Sequence, residues 1–158
     1  HSLSRRQRQM CIRDRYTGEI DYERCVCMKA ELMVQQQVKT VWQHMVGVIC
    51  LNLTNRVQVK SVLPKLFKKY PNPISFIRGS SKTQAKMLAP LGLVNVRLHR
   101  LKNMSVDFLT WDYKDAKDLY GIGKYGSDSY RIFYKNERPK NVKDKELKRY
   151  LNDNKTNR

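Results

Sequence analysis

Long apolar runs are missing from this 158-residue sequence, and no stretch approaches the roughly 20 residues that a membrane-spanning helix needs. Acidic side chains are scarce: 14 Asp and Glu stand against 32 Lys and Arg, a formal net charge of +18. That imbalance predicts a polyanionic partner. Nucleic acid leads and an anionic membrane surface comes second, because no amphipathic anchor stands out, so no membrane partner is expected. Of the four cysteines, Cys11 lies in an N-terminal stretch set aside below, and Cys25, Cys27 and Cys50 remain, an odd number without zinc-ligand spacing, which favours free thiols in a reducing compartment over a disulfide framework. His44 and His99 have no partners at metal or triad spacing, so no metal site is expected. Strand-like alternation is absent as well, and so is any internal repeat. What remains is a succession of short helical patterns, hence an all-α bundle, and 41% hydrophobic content suits one domain with a real core.

Part of the charge is uninformative. Residues 5–15, from Arg5 to Arg15, resemble the translation of a transposon sequencing adapter, and 1–15 are expected to be a laboratory scar in place of natural sequence. They hold five arginines and one aspartate, a net of +4, so the remainder keeps +14 and the electrostatic argument survives. Residues 16–30 read as a loose, polar lead-in, 31–151 as the folded domain and 152–158 as a polar tail.

Within the domain, Val41, Trp42, Met45, Val46, Ile49, Cys50 and Leu53 recur at three- and four-residue steps, which predicts a central core helix. Asn55 with Gln58 predicts a capping pair for a second helix that buries Val59, Val62, Leu63, Leu66 and Phe67. Pro64 should bend or restart that helix, and Tyr70-Pro71-Asn72-Pro73 should end it. A short helix over Lys82–Leu88, capped by Ser80 or Ser81, leads into a Pro90-Leu91-Gly92-Leu93 turn. Asn95 is the expected cap of the next helix, with Leu98, Leu101, Met104 and Phe108 on one face. The residues from Arg138 to Lys143 read as a basic loop, after which Asp144 starts a last helix with Leu147, Tyr150 and Leu151 inside.

Leu119-Tyr120-Gly121-Ile122-Gly123-Lys124-Tyr125-Gly126-Ser127-Asp128-Ser129-Tyr130-Arg131-Ile132-Phe133 organises the rest. A short helix over Asp115–Leu119 should meet a Gly-Ile-Gly turn, and another should start near Lys124 with Tyr130, Phe133 and Tyr134 on one face. That is a helix-hairpin-helix. Its glycines, Gly121, Gly123 and then Gly126, let a phosphate approach the unpaired N–H groups that open the second helix, beside the charge of Lys124. The same turn also serves as an ordinary helix cap.

This stretch resembles the helix-hairpin-helix DNA glycosylase superfamily, and most closely the thymine glycosylase domain of the methyl-CpG-binding-domain family. The resemblance runs from Trp42 through Pro90-Leu91-Gly92-Leu93 to Tyr150. It implies a compact multi-helix glycosylase fold acting in base excision repair on double-stranded DNA with a mismatched or damaged base. Cleaving a base from deoxyribose builds positive charge on the sugar, which a fixed carboxylate stabilises. The resemblance places that carboxylate at Asp144, with the preceding loop one residue shorter than in the family. Asp128, inside the hairpin helix, is implied to be structural. Relatives that also cut the backbone carry a lysine where this chain has Tyr125; Lys124, one residue earlier, is turned by about 100°. A monofunctional enzyme follows, with Tyr125 and Gln35 against the extruded pyrimidine. Leu53, Leu91 and Leu93 are implied to fill the gap in the stack. The family has arginine at the position of Leu53, which reads equally as a wedge and as core, and Arg56 stands near enough to compensate.

No cysteine follows Cys50, so the iron–sulfur cluster of some relatives is not expected, and no cofactor is. Relatives can bind a monovalent cation through hairpin carbonyls; the side chains here do not decide it. Lys65-Lys68-Lys69, Arg97-Arg100-Lys102 and Arg138-Lys140-Lys143 are expected phosphate contacts. A monomer that works where the DNA is, in the nucleus or the nucleoid, completes the expectation. Two other readings stay open: a glycosylase for a different damaged base, and a non-catalytic DNA-binding module.

Overall fold

The computed structural model describes residues 38–153. Seven α-helices occupy the described residues: α1 Val41–Leu51, α2 Arg56–Lys69, α3 Pro73–Arg78, α4 Ser81–Leu88, α5 Val94–Phe108, α6 Lys124–Phe133 and α7 Lys145–Asp153. Single 3-10 turns at Ala89–Leu91 and Ala116–Asp118 link them. The all-α expectation holds.

Helix α1 starts where the Thr40 side chain accepts the Gln43 N–H. It is buried on every side from Val41 to Cys50, more than the one stripe its pattern predicts. That burial is tolerable because the polar side chains find partners. Gln43 accepts the Lys39 N–H and donates to the Pro71 carbonyl, Trp42 Nε1 donates to Ser105 Oγ, and His44 Nε2 bonds Ser129 Oγ at 2.6 Å. Helices α2, α5 and α6 pack around α1, so the core sits on this helix. Leu53 is not part of it: the helix stops at Leu51, and Leu53 turns out with φ 56°.

Asn55 caps α2 by accepting the Gln58 N–H at 2.9 Å, and Val59, Val62, Leu63, Leu66 and Phe67 are buried as expected. Pro64 does not restart the helix, which continues past it to Lys69. An internal proline costs roughly 3 kcal/mol, whereas Leu63, Leu66 and Phe67 each contribute roughly 1.5–3 kcal/mol by burial, and Pro64 lies on the exposed face. Packing wins. Helix α3 is unforeseen: Asn72 and Ser75 form a reciprocal capping box ahead of a six-residue helix with Pro73 in its first turn. Lys102 closes the other end by donating to the carbonyls of Phe76, Ile77 and Gly79.

Ser80 caps α4, as one of the two expected serines. Asn95 is not the cap of α5. Leu93 holds that position in a left-handed conformation, φ 48°, and Asn95 lies one residue inside the helix. The hairpin's first helix shortens to the Ala116–Asp118 turn, capped by Asp115, whose Oδ1 accepts both the Lys117 N–H and the Ser127 hydroxyl. The turn is thereby stapled to α6. Those bonds also hold the Asp115 carboxyl below its usual range, the Lys117 N–H contributing most.

Candidate active site

A cleft of about 780 Å³ opens where the end of α1, the start of α2, the hairpin and the start of α7 converge. Its floor is apolar, from Val48, Leu51 and Ile122, and its rim carries Arg56, Arg100, Lys124 and Asp144. The hairpin's Tyr120–Tyr125 form one wall. Gly121 adopts φ 77°, which a side chain resists, and Gly123 precedes α6 without supplying a side-chain cap. The start of α6, with opening N–H groups that no side chain caps and a helix dipole behind them, therefore lines the cleft. The hairpin is held in place from α5, where Asp107 accepts the Tyr120 N–H and the stem of Arg100 lies under Gly121.

Asp144 lines the same cleft as the cap of α7, one carboxylate oxygen accepting the Leu147 N–H at 2.9 Å. Capping and cleft lining thus coincide in one residue. The cap fixes the carboxylate's orientation, and its second oxygen makes no hydrogen bond to the described residues. Tyr125, in the first turn of α6, is partly buried and near enough to feel this carboxylate's charge. Burial first and the Asp144 charge second push its phenol well above the ordinary tyrosine range, so it stays protonated and able to donate. Arg56 reaches across to Glu146 at 2.9 Å, a strut between the starts of α2 and α7. Lys124 turns back along α6 to Asp128, Nζ to Oδ2 3.0 Å, so Asp128 serves as its buried counter-ion.

No protein-family model matches the chain. A methyl-CpG-binding domain protein 4-like protein of Arabidopsis thaliana is 27% identical over 92 residues, 58% of this chain. The chain spans about a fifth, 21%, of that relative's length. A thermostable thymine-DNA glycosylase superposes with a TM-score of 0.56 at 23% identity, over 61% of this chain and 47% of its own. A trapped covalent intermediate of endonuclease III with DNA, holding an estranged adenine, gives 0.57 at 13% identity, over 73% and 60%. The chain has the helix-hairpin-helix DNA glycosylase fold. Within that fold the cleft lies between the hairpin and the α7 start.

The glycosylase fold brings together most of the residues that the sequence singled out, and separates some. Asp144, Tyr125, Lys124, Gly121, Gly123 and Leu53 all line the cleft. Leu53 is 80% exposed, which removes its reading as core, and Leu93 is 54% exposed on the neighbouring turn. Leu91 does not belong with them: only 5% exposed, it packs in the core. Gly126 lines the cleft as well, but it is buried. A Cβ there would meet Ile122 and Val48, so its smallness seats α6 on α1. Gln35 lies outside the described residues, as do Cys25 and Cys27.

Three expected phosphate contacts are committed elsewhere. Arg97 is 2% exposed and donates to a ring of carbonyls, Lys102 caps α3, and Arg138 donates to the Leu151 carbonyl. Arg97 is the residue that sequence reasoning misread. The signal was there, because Arg97, Leu101, Met104 and Phe108 follow one another at four- and three-residue steps and so share the inner face of α5. Among the described residues no group of His, Cys, Asp and Glu is arranged to hold a metal, and no helix is long and apolar enough to cross a membrane.

Proposed function

We propose that this domain is a monofunctional DNA glycosylase that hydrolyses the N-glycosidic bond of an extruded thymine or uracil opposite guanine and leaves an abasic site. One observation carries the reading: a fixed carboxylate, Asp144, shares a cleft with the uncapped start of α6 and with a protonated tyrosine. The α6 N–H groups would grip a phosphate beside the target. Leu53 and Leu93 would enter the stack as the nucleotide swings out, a step made cheaper by a mispair. Positive charge growing on the deoxyribose would then meet Asp144, with water as the nucleophile. Tyr125, where an amine would be needed for Schiff-base chemistry, offers only a hydroxyl, and Lys124 is paired with Asp128. Duplex DNA bearing the mispair is the partner, approached by a monomer inside the cell.

Asp144→Asn tests the assignment cleanly, because asparagine caps a helix as well as aspartate does and leaves α7 intact. Base release from a G·T or G·U duplex should fall about a hundredfold or more while duplex binding is kept. Borohydride in the wild-type reaction should trap no covalent adduct. Undiminished release by the asparagine variant would remove Asp144 from the chemistry, and a trapped adduct would reinstate a lysine nucleophile.

A further inference from the structure

The geometry points to Arg97 as a positioning residue that yokes the loop carrying Leu53 to the turn carrying Leu93, so that the two leucines enter a duplex as one rigid unit. The inference rests on the glycosylase reading for its substrate and on the hydrogen bonds of one side chain for its substance. Nε donates to the Gly92 carbonyl at 2.9 Å. Nη1 donates to the carbonyl of Asn52 at 2.7 Å and, less closely, to those of Cys50 and Ile49. Nη2 donates to Thr54 Oγ1 and to the Leu91 carbonyl, and Thr54 Oγ1 in turn donates to that same carbonyl. Among the bonded groups, Asn52 and Thr54 flank Leu53 on both sides and Gly92 immediately precedes Leu93.

Closing the end of α1 would need only the bonds to Ile49 and Cys50. The rest of the fork goes to two segments that each hold a leucine in the left-handed region, φ 56° at Leu53 and φ 48° at Leu93, where an L side chain seldom sits. Such backbones persist only where their surroundings over-determine them, and they gather at functional sites. Both leucines expose their side chains, so the strained geometry yields no core packing in return. What it does yield is two apolar prongs at a fixed spacing beside the cleft. Arg97 itself is buried and cannot reach a phosphate; it acts through the loops that it ties.

The test compares wild type with Arg97→Lys, which keeps the charge but donates from a single point and cannot span both segments. Base release is measured from uracil opposite guanine in a duplex and from the same uracil in single-stranded DNA, where nothing needs wedging. A 2-aminopurine beside the mispair reports unstacking on binding. The duplex-to-single-strand ratio should fall at least tenfold and the fluorescence rise should vanish, matching the Leu53→Ala, Leu93→Ala double variant. A general loss of folded protein lowers both substrates alike and leaves the ratio unmoved. A ratio within twofold of wild type in folded Arg97→Lys, or a retained fluorescence rise, overturns the yoke. Should Arg97→Lys fail to fold, Thr54→Val removes one acceptor of the fork and should lower the ratio about threefold; an unchanged ratio there overturns it equally. Wild type that releases no base from either strand would refute the glycosylase reading instead, and the fluorescence would still read the wedge.

Discussion

At the residue scale, the side chains that matter most are those whose surroundings override their usual chemistry. His44 is sealed inside α1 with Ser129 on Nε2 and no described hydrogen-bond partner on Nδ1, and burial lowers its pKa to about 3. An unfolded histidine titrates near 6.5, so between about 6.5 and 3 the unfolded chain binds a proton that the folded chain refuses. Stability present above that window should therefore be lost as the pH falls through it, at up to about 1.4 kcal/mol per pH unit from this one group. Urea unfolding at pH 7 and pH 5 checks it. Wild type should lose stability between the two, and His44→Gln should lose measurably less; equal losses would mean that His44 is not buried neutral. Cys50 is the companion case, its thiol pushed up to about 12 by burial against the weaker pull of Arg97, which makes it a packing residue without thiolate chemistry.

At the element scale, the hairpin shows that glycines in one motif do different work, and a matched pair of substitutions separates them. A Cβ on Gly126 would lie 2.5 Å from Ile122 Cγ2 and 3.1 Å from Val48 Cγ1, and a β-branched side chain has little freedom to yield. Gly126→Ala should cost about 1–3 kcal/mol of stability, read as a lower urea midpoint. A Cβ on Gly123 would meet nothing within 4 Å, and φ −103° suits any residue. Gly123→Ala should thus shift stability by less than about 0.5 kcal/mol yet weaken duplex binding about tenfold, since the methyl group stands where a phosphate would approach. Equal affinity for Gly123→Ala and wild type would take the phosphate away from this turn. Sequence made the hairpin legible because its spacing of glycines and apolar residues is local. So were the helix starts at Asn55, Ser80 and Asp144, where one side chain caps its own turn. Illegible were the features decided by distant partners. Pro64 stays helical because of what its neighbours bury, Leu91 is inside and Leu53 outside because of how the chain turns, and Arg97 is spent on carbonyls up to 48 residues away. Helix α3 is the exception, a local Asn72–Ser75 capping box that sat in plain sight around Pro73.

At the scale of the whole molecule, the net charge points to a polyanion but overstates the surface that touches one. Arg97 and Lys102 serve carbonyls, and Arg56, Lys124 and Arg131 each face a carboxylate. Lys65, Lys68 and Lys69 are exposed, but they sit about 14–20 Å along α2 from Arg56 and the cleft. What remains beside the cleft is a small footprint: the α6 N–H groups, Arg100, the exposed Lys143 next to Asp144, and the partly compensated Arg56 and Lys124. For about four or five phosphates, log K should fall with log salt at a slope between about −3 and −5. Arg100→Gln, at the hairpin's base, should make that slope shallower by about one. Replacing Lys65, Lys68 and Lys69 together by glutamine should leave it unchanged, although this removes three charges instead of one. Fluorescence-anisotropy titrations of a mispaired duplex between 50 and 200 mM salt, a window over which phosphate contacts are strongly resolved, distinguish the cases. If the triple variant flattened the slope more than Arg100→Gln did, DNA would run along α2, and the cleft would lose its claim to the sugar.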